Sequence, residues 1–76
     1  MIIAIDEGYD LVRFDTLKDL VGYADRNNYF VDSNEHLGIK DGTKLTSSLA
    51  SKLLKGYALY LRDAESQEWN LKIVKV

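Results

Sequence analysis

The sequence contains no cysteine and no proline among its 76 residues. Without cysteine, no disulfide can restrict the unfolded chain, and thiolate zinc sites and cysteine nucleophiles are excluded. Without proline, polyproline ligand motifs and rigid proline-rich linkers are excluded as well. A chain this short buries a modest core, so we expect its stability to depend on packing alone or on a binding partner.

Long hydrophobic runs are also missing. The apolar start of the chain, Met1 to Ile5, leads directly into Asp6 and Glu7, well short of the roughly 18 residues that a transmembrane helix needs. The same segment lacks the positive charges that begin a secretory signal. We therefore expect one domain, residues 1–76, in a soluble and cytoplasmic protein that does not bind a membrane.

The charges are unevenly distributed along the chain, although the net charge is only −2. Residues 1–35 carry eight acidic and three basic side chains, for a net charge of −5. Residues 36–76 carry four acidic and seven basic side chains, for a net charge of +3. The two halves either attract each other within the fold, form no patch at all, or provide a charged recognition surface.

Apolar periodicity predicts a hairpin and then a helix in the first part of the chain. The segments "MIIAI" and "LVRF" read as two strands, and "DEGYD" between them supplies the residues of a turn. Apolar residues at helical spacing predict a helix over about 16–27, with Asp15 or Thr16 as its N-cap. Asn27 or Asn28 is expected to end this helix in the left-handed conformation.

The middle of the chain predicts a short strand, a loop and a second helix. The strand is expected at 29–31, and the turn-rich segment that follows it predicts the loop. Helical spacing returns within 43–56, where Asp41 or Thr43 is the expected N-cap.

The C-terminal segment "YALYLRDAESQEWNLKIVKV" predicts a second hairpin with a loop of about four residues. Matching the apolar sides of its two strands assigns six side chains to the core, namely Tyr57, Leu59, Leu61, Trp69, Leu71 and Ile73. The opposite side carries Tyr60, Arg62, Asn70 and Lys72, which we expect to point outward. The last strand, Leu71 to Val76, is expected at an edge of the sheet, where it could pair with another chain.

The order of these elements predicts an α+β domain. A mainly antiparallel sheet, built from the N-terminal and C-terminal hairpins, would carry two helices packed on one face. The other face would then be open to water or to a partner.

Catalytic and metal chemistry have little support in the sequence. His36 is the only histidine, and no serine lies in the Gly-x-Ser-x-Gly turn of a hydrolase. The carboxylates of Asp6, Glu7 and Asp10 match neither a calcium loop nor a zinc motif, and the five glycines form no phosphate-binding motif. We expect no catalytic residue, no metal site and no cofactor, and hence a protein that is not an enzyme.

Binding is the function that remains. Five tyrosines and one tryptophan are a high share of the side chains that anchor protein interfaces. We expect Tyr60, Arg62, Asn70 and Lys72 to bind another protein. The leading hypothesis is a non-enzymatic protein-interaction module, an inhibitor or adaptor of a larger macromolecular machine, as small accessory proteins of microbes and viruses often are.

Two alternatives use the same features differently. A nucleic-acid-binding regulator would stack bases on Tyr60 and place phosphates at Arg62 and Lys72, although a sequence pI of about 5.2 disfavours that electrostatic match. A structural homo-oligomer, with a homodimer as its simplest form, would pair through the edge strand.

Overall fold

The computed structural model of the protein describes residues 1–56, 59–66 and 68–75. Its elements, in chain order, are β1 (Ile2–Asp6), β2 (Leu11–Phe14), α1 (Leu17–Arg26), β3 (Phe30–Val31), α2 (Ser47–Leu54), β4 (Leu59–Arg62) and β5 (Leu71–Lys75), with a short 3-10 turn at Glu35–Leu37 before α2. The predicted order of strands and helices is confirmed. In these described ranges, neither helix is both long and apolar enough to cross a lipid bilayer.

The strands form one antiparallel sheet in the order β2-β1-β5-β4-β3. The last strand, β5, lies in the middle, because Ile73 is the partner of Ala4 on one side and of Leu59 on the other. The prediction that Leu71 to Val76 forms an edge is therefore wrong. The two side chains of β5 that face the helices, Leu71 and Ile73, are 3% and 1% exposed, and a central strand buries such residues better than an edge strand does.

Both helices pack on one face of the sheet, which confirms the predicted α+β architecture. The buried apolar core comprises Ile2, Ala4, Phe14, Leu20, Ala24, Val31, Leu45, Ala50, Leu53, Leu59, Leu61, Leu71 and Ile73. The strand residues of this set share one face in the observed register, and the helix residues cover them. Each large apolar side chain that is fully buried contributes roughly 1.5–3 kcal/mol relative to exposure.

The first helix follows the prediction closely. The Oγ1 atom of Thr16 accepts a hydrogen bond from the N–H of Asp19 at 3.2 Å, so Thr16 is the N-cap. Asn28 has φ 57° and turns the chain through the left-handed region after Asn27. The N–H of Tyr29, the next residue, donates to the carbonyl oxygen of Ala24 in α1 at 2.9 Å and so caps the end of the helix.

The second helix begins later than predicted. Its N-cap is Thr46, whose Oγ1 atom accepts from the N–H of Leu49 at 3.2 Å. The predicted caps Asp41 and Thr43 are wrong, because both are occupied elsewhere. Asp41 binds Arg62, and the hydroxyl of Thr43 donates to the carbonyl oxygen of Lys40 at 2.6 Å.

The connection between β4 and β5 spans residues 63–70 and is longer than the predicted loop of about four residues. Polar side chains organise it locally. The Oδ1 atom of Asp63 accepts from the N–H groups of Glu65 at 3.0 Å and Ser66 at 2.8 Å. The predicted core position of Tyr57 lies outside the described residues.

Candidate functional site

The face of the sheet opposite the helices is largely apolar. In the observed register it carries Ile3, Ile5, Leu11, Arg13, Phe30, Tyr60, Arg62, Lys72 and Val74, which together we call the open face. Ile3 is the cross-strand partner of Val74, and Ile5 is the partner of both Leu11 and Lys72. Contiguous apolar side chains on a sheet face without helices are typical of an interaction surface.

Tyr60 and Lys72 lie on the open face as the alternating pattern predicts. They are cross-strand partners on β4 and β5, and both are half-buried. Their neighbours Leu61 and Leu71 point to the core and are 0% and 3% exposed. The outward orientation of Tyr60 and Lys72 is therefore an observation, whereas their role in binding stays a prediction.

Trp69 does not lie in the core, and that prediction is wrong. Its ring packs against Tyr60, with centroids 5.5 Å apart and planes inclined at 49°. The alternating pattern fails here because β5 begins only at Leu71, so Trp69 belongs to the loop. Trp69 was not predicted as part of the site, although it directly follows the polar segment "DAESQE", where the alternation of a strand can be interrupted.

Arg62 is engaged within the protein. Its guanidinium contacts Asp32, at 3.5 Å from Nε, and also hydrogen-bonds to Asp41 and to the carbonyl oxygen of Ser66. The group lies over the ring of Phe30, 4.8 Å from the centroid, and the side chain is only 13% exposed. The hydrogen bond to Asp41 raises the pKa of Arg62 above its ordinary value. Arg62 therefore joins β4 to three neighbouring segments, and its predicted role toward a partner remains a prediction.

Asn70 is likewise used within the loop. Its Oδ1 atom accepts from the N–H of Asp63 at 2.8 Å, and its Nδ2 atom donates to the hydroxyl of Ser66 at 3.0 Å. Hydrogen bonding from Ser66, through its hydroxyl and its backbone N–H, holds the pKa of Asp63 below its ordinary value. Of the four predicted binding residues, Tyr60 and Lys72 lie side by side on the open face, whereas Arg62 and Asn70 hold neighbouring segments together.

A cleft of about 400 Å³ opens where the open face meets the two hairpin loops. It is lined by Ile5, Asp6, Glu7, Tyr9, Glu68, Trp69 and Lys72, and we call it the Trp69 cleft. Its walls combine two aromatic rings with side chains of both charges. Such a lining suits a ligand that presents an apolar group together with polar or charged groups.

Tyr9 takes an unusual backbone conformation at the rim of this cleft. Its φ is 64°, in the left-handed region that side chains other than glycine and asparagine rarely adopt. The turn of the first hairpin requires this conformation. The N–H of Tyr9 donates to the carbonyl oxygen of Asp6, and the N–H of Asp6 donates to the carbonyl oxygen of Asp10. The side chain is 84% exposed. The hairpin backbone therefore presents a large aromatic side chain to solvent at the rim of the Trp69 cleft.

The remaining tyrosines of the described residues belong to the helix side of the sheet. Tyr23 packs against Phe14 with ring centroids 5.2 Å apart and against Tyr29 at 6.2 Å. Burial and the neighbouring Tyr23 raise the pKa of Tyr29 above its ordinary value. Tyr23 and Tyr29 therefore contribute to the packing of the fold, whereas Tyr9, Tyr60 and Trp69 lie at the open face and the Trp69 cleft.

Of the groups considered for catalysis and metal binding, His36 lies apart from the Trp69 cleft, whereas Asp6 and Glu7 line it. His36 is exposed in the 3-10 turn Glu35–Leu37. The Oδ1 atom of Asp6 accepts from the N–H groups of Gly8 at 2.8 Å and Asp10 at 2.9 Å, and so shapes the first hairpin. In the part of the chain that the structure describes, no three metal-ligating side chains are grouped to hold an ion.

Ion pairs connect the acidic and basic halves of the chain. Lys44 lies 3.5 Å from Asp25, and Arg62 lies 3.5 Å from Asp32. The first pair is exposed and contributes little to stability, whereas the second is largely covered. These contacts favour the alternative in which the two halves attract each other within the fold.

Comparison with known proteins finds no matching family model, no matching curated protein and no matching solved structure. The function proposed below therefore rests on the open face and the Trp69 cleft.

Proposed function

We propose that this protein is a non-enzymatic interaction module that binds another protein through the Trp69 cleft and the adjoining Tyr60 and Lys72. The observation that carries the proposal is the Tyr60–Trp69 ring pair, which lies outside the core on the open face. A small protein that presents such a surface would act as an inhibitor or adaptor of a larger macromolecular machine.

The energetic reason lies in the side chains that surround this pair. Tryptophan and tyrosine contribute most to interfaces when a central aromatic cluster is covered by the partner. Trp69 and Tyr60 already support each other's orientation, so little conformational entropy is lost when a partner covers them. The apolar residues Ile3, Ile5 and Val74 extend the surface beside them.

The charges of the cleft favour a protein partner over a nucleic acid. Among the described residues, Asp6, Glu7 and Glu68 line the cleft together with one cation, Lys72. Carboxylates at that density repel a phosphate backbone, whereas a protein surface offers groups of both signs. Arg62, the other cation expected to meet phosphates, is held by Asp32 and Asp41.

The test is capture of partners from a lysate of the source organism by the tagged protein, with and without nuclease, followed by mass spectrometry. Trp69→Ala and Lys72→Glu are expected to lose at least tenfold of the captured partner. The matched controls are Tyr29→Ala, which removes a half-buried ring on the helix side, and Lys52→Glu, which makes the same charge change on an exposed part of α2.

Each outcome has a defined meaning. A stoichiometric protein that survives nuclease and is lost only with the cleft variants supports the proposal. Capture that disappears with nuclease identifies a nucleic-acid partner and overturns it. Capture that is unchanged in Trp69→Ala and Lys72→Glu, while circular dichroism shows both to be folded, places the binding site elsewhere.

A further inference from the structure

The strand β2 is an edge strand with exposed apolar side chains. Among the described residues it has one strand neighbour, β1, so alternate backbone N–H and C=O groups along its outer side have no strand partner there. Leu11 on the open face is 55% exposed, and Val12 on the helix side is 36% exposed. An edge of this kind is a template for pairing with another strand.

The opposite edge of the sheet is protected, and β2 is not. Beside β3, the N–H of Val31 donates to the carbonyl oxygen of Thr43 at 2.8 Å, so a loop covers that edge. Natural edges are usually blocked by proline, by a bulge or by several charges. The chain has no proline, the β1–β2 register from Ile2 to Ile5 is unbroken, and β2 itself contains one charged residue, Arg13.

We propose that β2 pairs with β2 of a second copy of this chain, antiparallel, to form a symmetric dimer with a continuous ten-stranded sheet. The strand suits pairing with itself, since it is extended, three of its four side chains are apolar, and its helix side carries Val12 and Phe14 without a charge. The proposal concerns a different surface from the Trp69 cleft and does not depend on it.

Symmetry and hydrogen bonding restrict the register of this dimer. In an antiparallel pair, facing residues direct their side chains to the same face of the sheet, so the two-fold axis must pass between one residue and the same residue of the second copy. An axis at Arg13 places two guanidinium groups opposite each other, which is unfavourable. An axis at Leu11 requires the left-handed Tyr9 to enter the ladder. An axis at Phe14 pairs residues beyond the end of β2.

In the remaining register, the two-fold axis passes between Val12 of one copy and Val12 of the other. Val12 then faces Val12 of the second copy, and such a β-branched pair is favourable. Leu11 of each copy lies opposite Arg13 of the other, so no like charges oppose each other within the strand. Because facing residues share a side of the sheet, both open faces lie on the same side of the dimer. The two Trp69 clefts would then be presented together, which favours a bivalent partner.

Sedimentation equilibrium of the full chain tests the association. A four-residue strand makes a small interface, and we expect dimer to accumulate between tens of micromolar and the millimolar range. The average mass should rise from 8.7 kDa toward twice that value. Val12→Lys places two ammonium groups face to face and should remain monomeric, whereas Ser48→Lys, with the same added charge on α2, should associate as the wild type does. Trp69→Ala should also dimerise, which separates this proposal from the proposed function.

Cysteine cross-linking tests the register and remains informative if Val12→Lys is poorly folded. The chain has no cysteine, and facing residues of an antiparallel pair lie within the Cα separation that a disulfide accepts. Under mild oxidation, Val12→Cys should cross-link at least tenfold faster than Ser48→Cys. A mixture of Leu11→Cys and Arg13→Cys should cross-link faster than either variant alone.

Three results would overturn the proposal. One is a wild-type mass that stays at that of the monomer through the millimolar range. Another is a Val12→Lys variant that is folded and still dimerises. The third is cross-linking of Val12→Cys at the rate of Ser48→Cys.

Discussion

The ring of Trp69 lies against the ring of Tyr60 on the face of the sheet that carries no helix, with centroids 5.5 Å apart. This ring pair and the core lie on opposite faces of the sheet. Leu61, the residue next to Tyr60 in β4, is fully buried on the core face. Two consecutive residues of β4 therefore serve different purposes, and their substitutions should have different effects.

Leu61→Ala should reduce the free energy of unfolding by about 2–5 kcal/mol, since it leaves a cavity in the core. Tyr60→Ala should reduce it by about 1–2 kcal/mol, because it removes the ring pair and a half-buried side chain. Urea denaturation followed by circular dichroism measures both values. Equal losses for the two variants would contradict the assignment of Tyr60 to the open face.

Tyr9→Gly should increase the free energy of unfolding by about 0.5–1 kcal/mol, since glycine adopts the left-handed conformation at φ 64° without strain. Tyr9→Ala is the control, because it removes the same exposed ring and keeps the strain. Alanine should leave stability within about 0.5 kcal/mol of the wild type. If the glycine variant is the less stable of the two, the strain at Tyr9 is not significant.

Arg62→Ala should destabilise the protein more than Arg13→Ala does. Arg62 holds Asp32, Asp41 and the loop at Ser66, whereas Arg13 is exposed on the edge strand. Hydrogen exchange should increase in 38–46 and 63–66 for Arg62→Ala only. Similar denaturation midpoints for the two variants would show that the contacts of Arg62 contribute little.

Asp63 should make stability depend on acid pH. Hydrogen bonds from Ser66 lower the pKa of Asp63 in the folded protein below its ordinary value of 3.8. The ionised carboxylate therefore contributes to the free energy of unfolding at pH values above 3.8, and this contribution is lost as the pH falls through the folded-state pKa. Asp63→Ala should therefore be less stable than the wild type at neutral pH, and the difference should shrink below pH 3.8. Asp63→Asn keeps an acceptor oxygen without the charge, so it should recover part of the loss at neutral pH. A difference between Asp63→Ala and the wild type that is the same at neutral and acid pH would contradict this role.

The local elements were predictable because short-range patterns encode them. The first hairpin follows from "DEGYD" between two apolar segments, and α1 follows from the helical spacing after the cap Thr16. Alternation along β4 correctly placed Leu59 and Leu61 in the core and Tyr60 on the opposite face.

The site was predicted only in part, because the positions of Trp69, Asn70 and Tyr9 depend on where the neighbouring strands end. Trp69 and Asn70 precede the first residue of β5, so the alternation that was applied to them does not hold. Tyr9 was interpreted as a turn residue, and only the three-dimensional structure shows that its side chain is 84% exposed and lines the Trp69 cleft.

By itself, the sequence determined the α+β class, the order of the elements and the side of β4 that faces the core, since each depends on neighbours within a few positions. The tertiary structure decided which strand is central, which edge is free and how Arg62 is used. Asp41 lies 21 positions before Arg62, and the two meet only because the loop before α2 folds over β3 and β4. Contacts of that range leave no periodic pattern in the chain, because they depend on how complete elements pack against one another.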